Sequence, residues 1–142
     1  RIWNSTETEA GAQYDSVVKT KVGDKQIYFT AAAPGLFGID ADSGAQLVED
    51  PSTGNRVAVI PTPVVSGNMV YHTSAYGAGN AMWRLSASGD GVTADQAYYL
   101  DKSAKSMENH HGGVVLVDGE DLGQDRRDVR SSVSMRVVAP ST

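Results

Sequence analysis

Residues 61–85 read PTPVVSGNMVYHTSAYGAGNAMWRL. Pro63-Val64-Val65 and Met69-Val70-Tyr71 flank Ser66-Gly67-Asn68, and a third apolar run, Ala81 to Leu85, follows Tyr76-Gly77-Ala78-Gly79. Short β-rich runs punctuated by turn residues predict an antiparallel meander. Working outward, Tyr14 to Val22 reads as a strand, and Gly23-Asp24 turns it into Gln26 to Thr30. Pro34-Gly35 stops any helix that Ala31 to Ala33 would start, so Leu36 to Ile39 is a third strand. Asp40-Ala41-Asp42-Ser43-Gly44 then makes an Asx-type turn into Gln46-Leu47-Val48.

These two stretches repeat each other. Val22-Gly23-Asp24 returns 44 residues on as Ser66-Gly67-Asn68, Ile27-Tyr28 is matched to Val70-Tyr71, and Leu36 to Ile39 is matched to Met82 to Leu85. A third, partial copy begins at Gly112-Gly113 and ends at Gly119. A period of this size with four short strands per unit predicts an all-β fold of antiparallel four-stranded blades, a partial β-propeller over residues 1–119. Arg1-Ile2-Trp3 reads as the last strand of a further blade, since a Trp so near a terminus gains little unless it packs on a later part of the chain. Residues 120–142 carry eight charges and break the pattern, although Val129, Ser131, Val133, Met135 and Val137 alternate. They form a charged tail, either one edge strand or a segment without fixed structure. The expected core is Val17, Ile27, Phe29, Leu36, Ile39, Val64, Val70, Met82, Leu85, Val115 and Val117.

Composition narrows the function classes. The net charge is -5, and the 12 basic residues form no run, which excludes the clustered cationic footprint of a nucleic-acid binder. No cysteine is present, so thiolate nucleophiles and zinc-thiolate clusters are excluded. No apolar run approaches the ~20 residues that span a bilayer as a helix. The Walker, HExxH and GxSxG patterns do not occur, and Ser16-Val17-Val18-Lys19 fits SxxK on a strand, where Ser and Lys do not meet.

The densest polar cluster is Glu108-Asn109-His110-His111, just before the strand expected at Gly113 to Val117. Read as catalytic, Glu108, His110 and His111 supply acid-base groups, imidazole being the side chain poised near neutral pH. Read as structural, they are loop side chains bonded to backbone. Adjacent residues on a strand point to opposite faces, so only one of the two histidines would reach a given site. His72, in a strand interior, reads as packing rather than as a metal ligand. Asp40 and Asp42 place two carboxylates on one loop, a geometry that takes Ca2+, or else they close a hairpin by an Asx turn.

Ile39-Asp40-Ala41-Asp42-Ser43-Gly44-Ala45-Gln46-Leu47-Val48 resembles the repeat signature of PQQ-like β-propellers, the alcohol dehydrogenase and outer-membrane assembly-factor relatives. In that signature an aliphatic-Asp-Ala-x-Thr-Gly turn precedes a strand carrying a Trp; here Ser43 stands for the Thr and Val48 for the Trp. The likeness extends from Gly11 to Gly119. It implies a piece of about two and a half blades, in a periplasmic or secreted setting. PQQ itself is not expected, because the family's cofactor site draws on blades beyond these. Three functions follow as expectations: a binding or scaffolding module for a small-molecule or protein ligand, a Ca2+-dependent hydrolase of small lactones or esters with a loop histidine as base, and a quinoprotein dehydrogenase remnant. Uncovered sheet faces also predict a homo-oligomer.

Overall fold

A computed structural model describes residues 2–6, 10–101, 108–117, 120–124 and 132–136, giving only the backbone at 117, 120–124 and 132–136. No helix occurs among the described residues. The first sheet is formed in chain order by β1 (Val18–Val22), β2 (Lys25–Ala32), β3 (Gly35–Asp40) and β4 (Gln46–Asp50). The second is formed likewise by β5 (Val64–Ser66), β6 (Met69–Ser74), β7 (Gly79–Ser88) and β8 (Gly91–Leu100). In the third, β10 (Glu120–Gln124) lies between β9 (Val114–Val117) and β11 (Ser132–Arg136). All pairings are antiparallel, as the meander pattern predicts.

Three hairpins close with the same chemistry. Gly23, Gly67 and Gly89 sit at φ near +55° to +58°, each followed by Asp or Asn at negative φ. That is the II′ arrangement, whose twist matches the strands it joins. The 44-residue repeat is structural: Val22 pairs with Lys25 and Ser66 with Met69 across equivalent turns. The third strands depart from the sequence match. Asp40 stands opposite Ile27, whereas Met82 stands opposite Tyr71, so Met82 is the counterpart of Asp40 and not of Leu36. The cause is the β6 to β7 connection, which is two residues longer than the Ala33-Pro34 turn while β6 is two residues shorter than β2.

The sheets stack in series. Ile27, Phe29, Leu36 and Val48 on one face of the first sheet meet Val70, Ala81, Trp83 and Leu85 on the near face of the second. Tyr71 and Met82, on the far face of the second, meet Val114 of β9. Positions 44 residues apart therefore look the same way: Ile27 faces the second sheet and Tyr71 faces the third. This is head-to-tail repetition, the order found in a propeller, here not closed into a ring. β1, β5 and β9 line up on one side of the stack, and β4 and β8 on the other.

The outer face of the first sheet carries Ala32, Phe37 and Ile39, and the N-terminal segment covers it through Trp3 and Ala10. Trp3 is not in a strand; its Nε1 donates to Ala41 O at 2.8 Å and its ring lies against Gly44. A Cβ on Gly44 would stand 2.6 Å from that ring, so the site requires glycine. Arg1, and Val129, Ser131 and Val137 of the tail, lie outside the described residues.

Seven of the expected core residues are buried: Ile27, Phe29, Leu36, Ile39, Val70, Met82 and Leu85. Val17 and Val115 are not; they are 62% and 59% exposed. Val17 precedes β1 in coil, and Val115 takes the face of β9 opposite Val114. Val64 is half-buried against Tyr71, and the Val117 side chain lies outside the described residues. Trp83, fully buried, belongs to the core although the alternation of its strand did not single it out. Truncating Val70 to Ala is expected to cost about 2 kcal/mol through the cavity it leaves, and Val17→Ala less than about 0.5 kcal/mol. Urea denaturation of both variants checks this, and equal losses would contradict the face assignment.

Candidate functional site

The candidate site forms where the β6 to β7 turn meets the segment entering β9. Thr73, inside β6, donates its hydroxyl to Gly79 O at 3.0 Å and accepts Asn109 N at 3.3 Å. Asn109 is buried, and its Nδ2 donates to Gly113 O at 3.4 Å, so the segment is stapled to β6 from behind. Asn109 Oδ1 is buried with no hydrogen-bond partner among the described residues. An acceptor in that state is costly unless something donates to it.

The turn itself is strained. Tyr76 has φ +61°, a left-handed conformation rare for a residue with a ring on Cβ. Gly79, at φ +79°, leaves no room for a Cβ, which would stand 2.0 Å from Leu100 O. The turn's backbone serves a carboxylate: Gly77 N donates to Glu108 Oε2 at 3.3 Å, with Glu108 only 6% exposed. Tyr99 completes the back of the turn by donating its hydroxyl to Ala78 O at 3.0 Å. Partial burial, followed by Asp101, raises the Tyr99 pKa, which keeps that phenol a donor.

In front of this support lie three rings. Tyr76 Oη is 3.0 Å from His110 Nε2, and the two rings meet edge to face with centroids 4.7 Å apart. His111 also packs on His110, centroids 3.7 Å apart at 87°. The expectation that the histidines face opposite ways fails because they precede β9, in bends where strand alternation does not operate. His110 and His111 are thus in contact with each other and His110 with Tyr76, while the Glu108 carboxylate bonds to the turn that carries Tyr76. Tyr76 is the member of this cluster that residue type did not assign to it; the signal was its place before Gly77-Ala78-Gly79.

Asp40 and Asp42 lie elsewhere, at the opposite end of the strands, beside the Gly23-Asp24 hairpin. Asp40 Oδ1 accepts Asp42 N at 2.9 Å and Ser43 N at 3.0 Å, closing an Asx turn. Its Oδ2 is 2.9 Å from Lys25 Nζ. The Lys25 ammonium first, then the Ser43 N–H, hold this buried carboxyl well below the usual range. A calcium ion here would have to displace that ammonium. Among the described residues, no group of three or more His, Cys, Asp or Glu could hold a metal ion.

His72 packs in the interior. Its Nδ1 lies 2.7 Å from Thr53 Oγ1 and its Nε2 3.1 Å from Pro61 O. A neutral ring satisfies both, Nε2 donating to the carbonyl and Nδ1 accepting from the hydroxyl, and complete burial favours that form. It fastens the β4 to β5 connection onto the second sheet. Asn55 does the same one turn on, donating to Ser74 Oγ and to Ala58 O.

Comparison with family models, curated proteins and solved structures finds no match to this chain.

Burial lowers the His72 pKa from 6.5 to about 4, against the opposing pull of the Pro61 carbonyl. The unfolded chain then binds this proton more readily than the folded one. The stabilisation is complete above pH 6.5 and is lost as pH falls toward about 4, an expected loss of about 3 kcal/mol from this group. Denaturation midpoints across that window, with NMR titration of the ring, check the sign; a His72 ring that titrates normally would refute it.

Proposed function

We propose that this chain is a binding module, a partial propeller of the PQQ-like kind that recognises its ligand through the loop cluster of Tyr76, Glu108, His110 and His111. The observation that carries the reading is preorganisation. Tyr76 and His111 are exposed and His110, in contact with both, is half-buried, while buried Asn109 and Glu108 lock the backbone behind them. Fixing side chains before the ligand arrives removes part of the entropy cost of binding. Ring faces with imidazole and phenol donors at their edges suit a carbohydrate, which offers apolar C–H faces and hydroxyls together. A stacked turn segment of a protein partner would meet the same groups.

A second reading rests on the hydrogen bond between Tyr76 and His110, because a phenol and an imidazole in contact can exchange a proton. A hydrolase of small lactones or esters would use His110 as base.

Titrating isotope-labelled protein with a panel of neutral oligosaccharides distinguishes these. The binding reading expects saturable shifts at residues 76–79 and 110–113. His110 touches two rings and His111 one, so His110→Ala should weaken binding by about tenfold and His111→Ala by less. Shifts confined to other surfaces would refute the assignment of the site. Turnover of a lactone or nitrophenyl ester, abolished in His110→Ala, would replace the binder with the enzyme.

A further inference from the structure

A cavity of about 340 Å³ lies between the N-terminal segment and the outer face of the first sheet, remote from the His110 cluster. Its floor is Ala32, Phe37 and Ile39, and Ala10 and Ala12 form the opposite wall. The volume falls in the range of small-ligand sites, which pair an apolar lining with few, fixed polar groups. Here the charged one is Asp15, the only ionisable residue among the described residues lining the cavity.

Asp15 is fixed by two hydrogen bonds on the same oxygen. Oδ2 accepts the Ala31 N–H at 2.7 Å and the Thr30 hydroxyl at 2.9 Å, and Oδ1 takes neither. Half-burial raises its pKa, the bonds from Ala31 and Thr30 pulling the other way. No cation pairs with it among the described residues. A carboxylate held in place, short of solvation and without a counter-charge, gains from a cation that arrives with little water of its own. An alkali ion would leave the apolar floor unused. An organic ammonium would use both.

We propose that this cavity binds a small organic monocation, a primary or secondary amine with a compact apolar body, its ammonium on Asp15 and its body against Phe37, Ile39 and Ala32. The chain's net charge of -5 favours approach of such a ligand. The site owes nothing to the His110 cluster and is tested separately from it.

The test is an NMR titration of the whole chain with benzylammonium and, in parallel, with benzyl alcohol, which has the same ring and no charge. Saturable shifts at Thr30, Ala31, Phe37 and Ile39 are expected with the amine, at an affinity about tenfold or more above the alcohol. Asp15→Asn, which keeps an acceptor for Ala31 and Thr30, should remove that advantage. Equal affinity for amine and alcohol would overturn the proposal, as would unsaturable or scattered shifts, or undiminished amine binding in Asp15→Asn. The comparison of the two ligands uses the unaltered chain, so it decides the matter even where the variant does not fold.

Discussion

Burial of the second sheet on both faces is the constraint on which this structure depends. Val70, Ala81, Trp83 and Leu85 are in contact with the first sheet while Tyr71 and Met82 look toward the third, so neither neighbour can leave without exposing a layer of large side chains. Each such side chain contributes about 1.5–3 kcal/mol by leaving water. A sheet of this kind needs a partner on either side, which a stack supplies and a two-layer sandwich does not. The requirement is visible in the strands: β6 after Met69 and the first half of β7 are buried at every position, where a half-exposed strand would alternate.

The same constraint explains why polar groups are buried where they are. The β4 to β5 connection must cross from one sheet to the next along the edge of the core, carrying backbone carbonyls into it. His72 receives that segment, Asn55 within it donates to Ser74 of β6, and Tyr14 N and Gln13 Oε1 pair with the backbone of Val59 in its middle. Unpaired, each of these groups would cost about 1–3 kcal/mol. The inward-facing imidazole is therefore part of how consecutive sheets are joined.

Local signals carried the fold. The glycines at 23 and 67 marked hairpins because only residues free of a Cβ sit easily at positive φ, and their spacing exposed the 44-residue repeat. Facing was harder to read. In strands buried on both sides, alternation carries no information, so Met82 and Trp83 were equally good core candidates although they serve different layers. Val17 and Val115 read as apolar alternation, yet one sits in coil and the other on the open face of β9. At the candidate site, Glu108, His110 and His111 could be chosen from residue type alone. Their geometry could not, since it depends on the Tyr76 turn meeting Glu108 and His110 from 31 and 34 positions away. The role of Trp3 was legible only in part: it packs on a later part of the chain, as a terminal Trp should, but on the Gly44 turn and without forming a strand.

Head-to-tail stacking has a consequence at its free end. The outer face of the first sheet is the counterpart of the second sheet's near face, where Val70, Trp83 and Leu85 receive four strands and their side chains. On the first sheet, Phe37, Ile39 and Ala32 receive instead the N-terminal segment, through Trp3 and Ala10. One strand of coil covers less area than a sheet and offers no second row of side chains to interdigitate, so packing to interior density is not reached across the whole face. The cavity beside Asp15 is the space which that difference leaves. Its apolar floor comes from the stacking pattern and its carboxylate from the covering segment, which is why a charged group and an unfilled hydrophobic surface come to lie side by side at this end of the molecule.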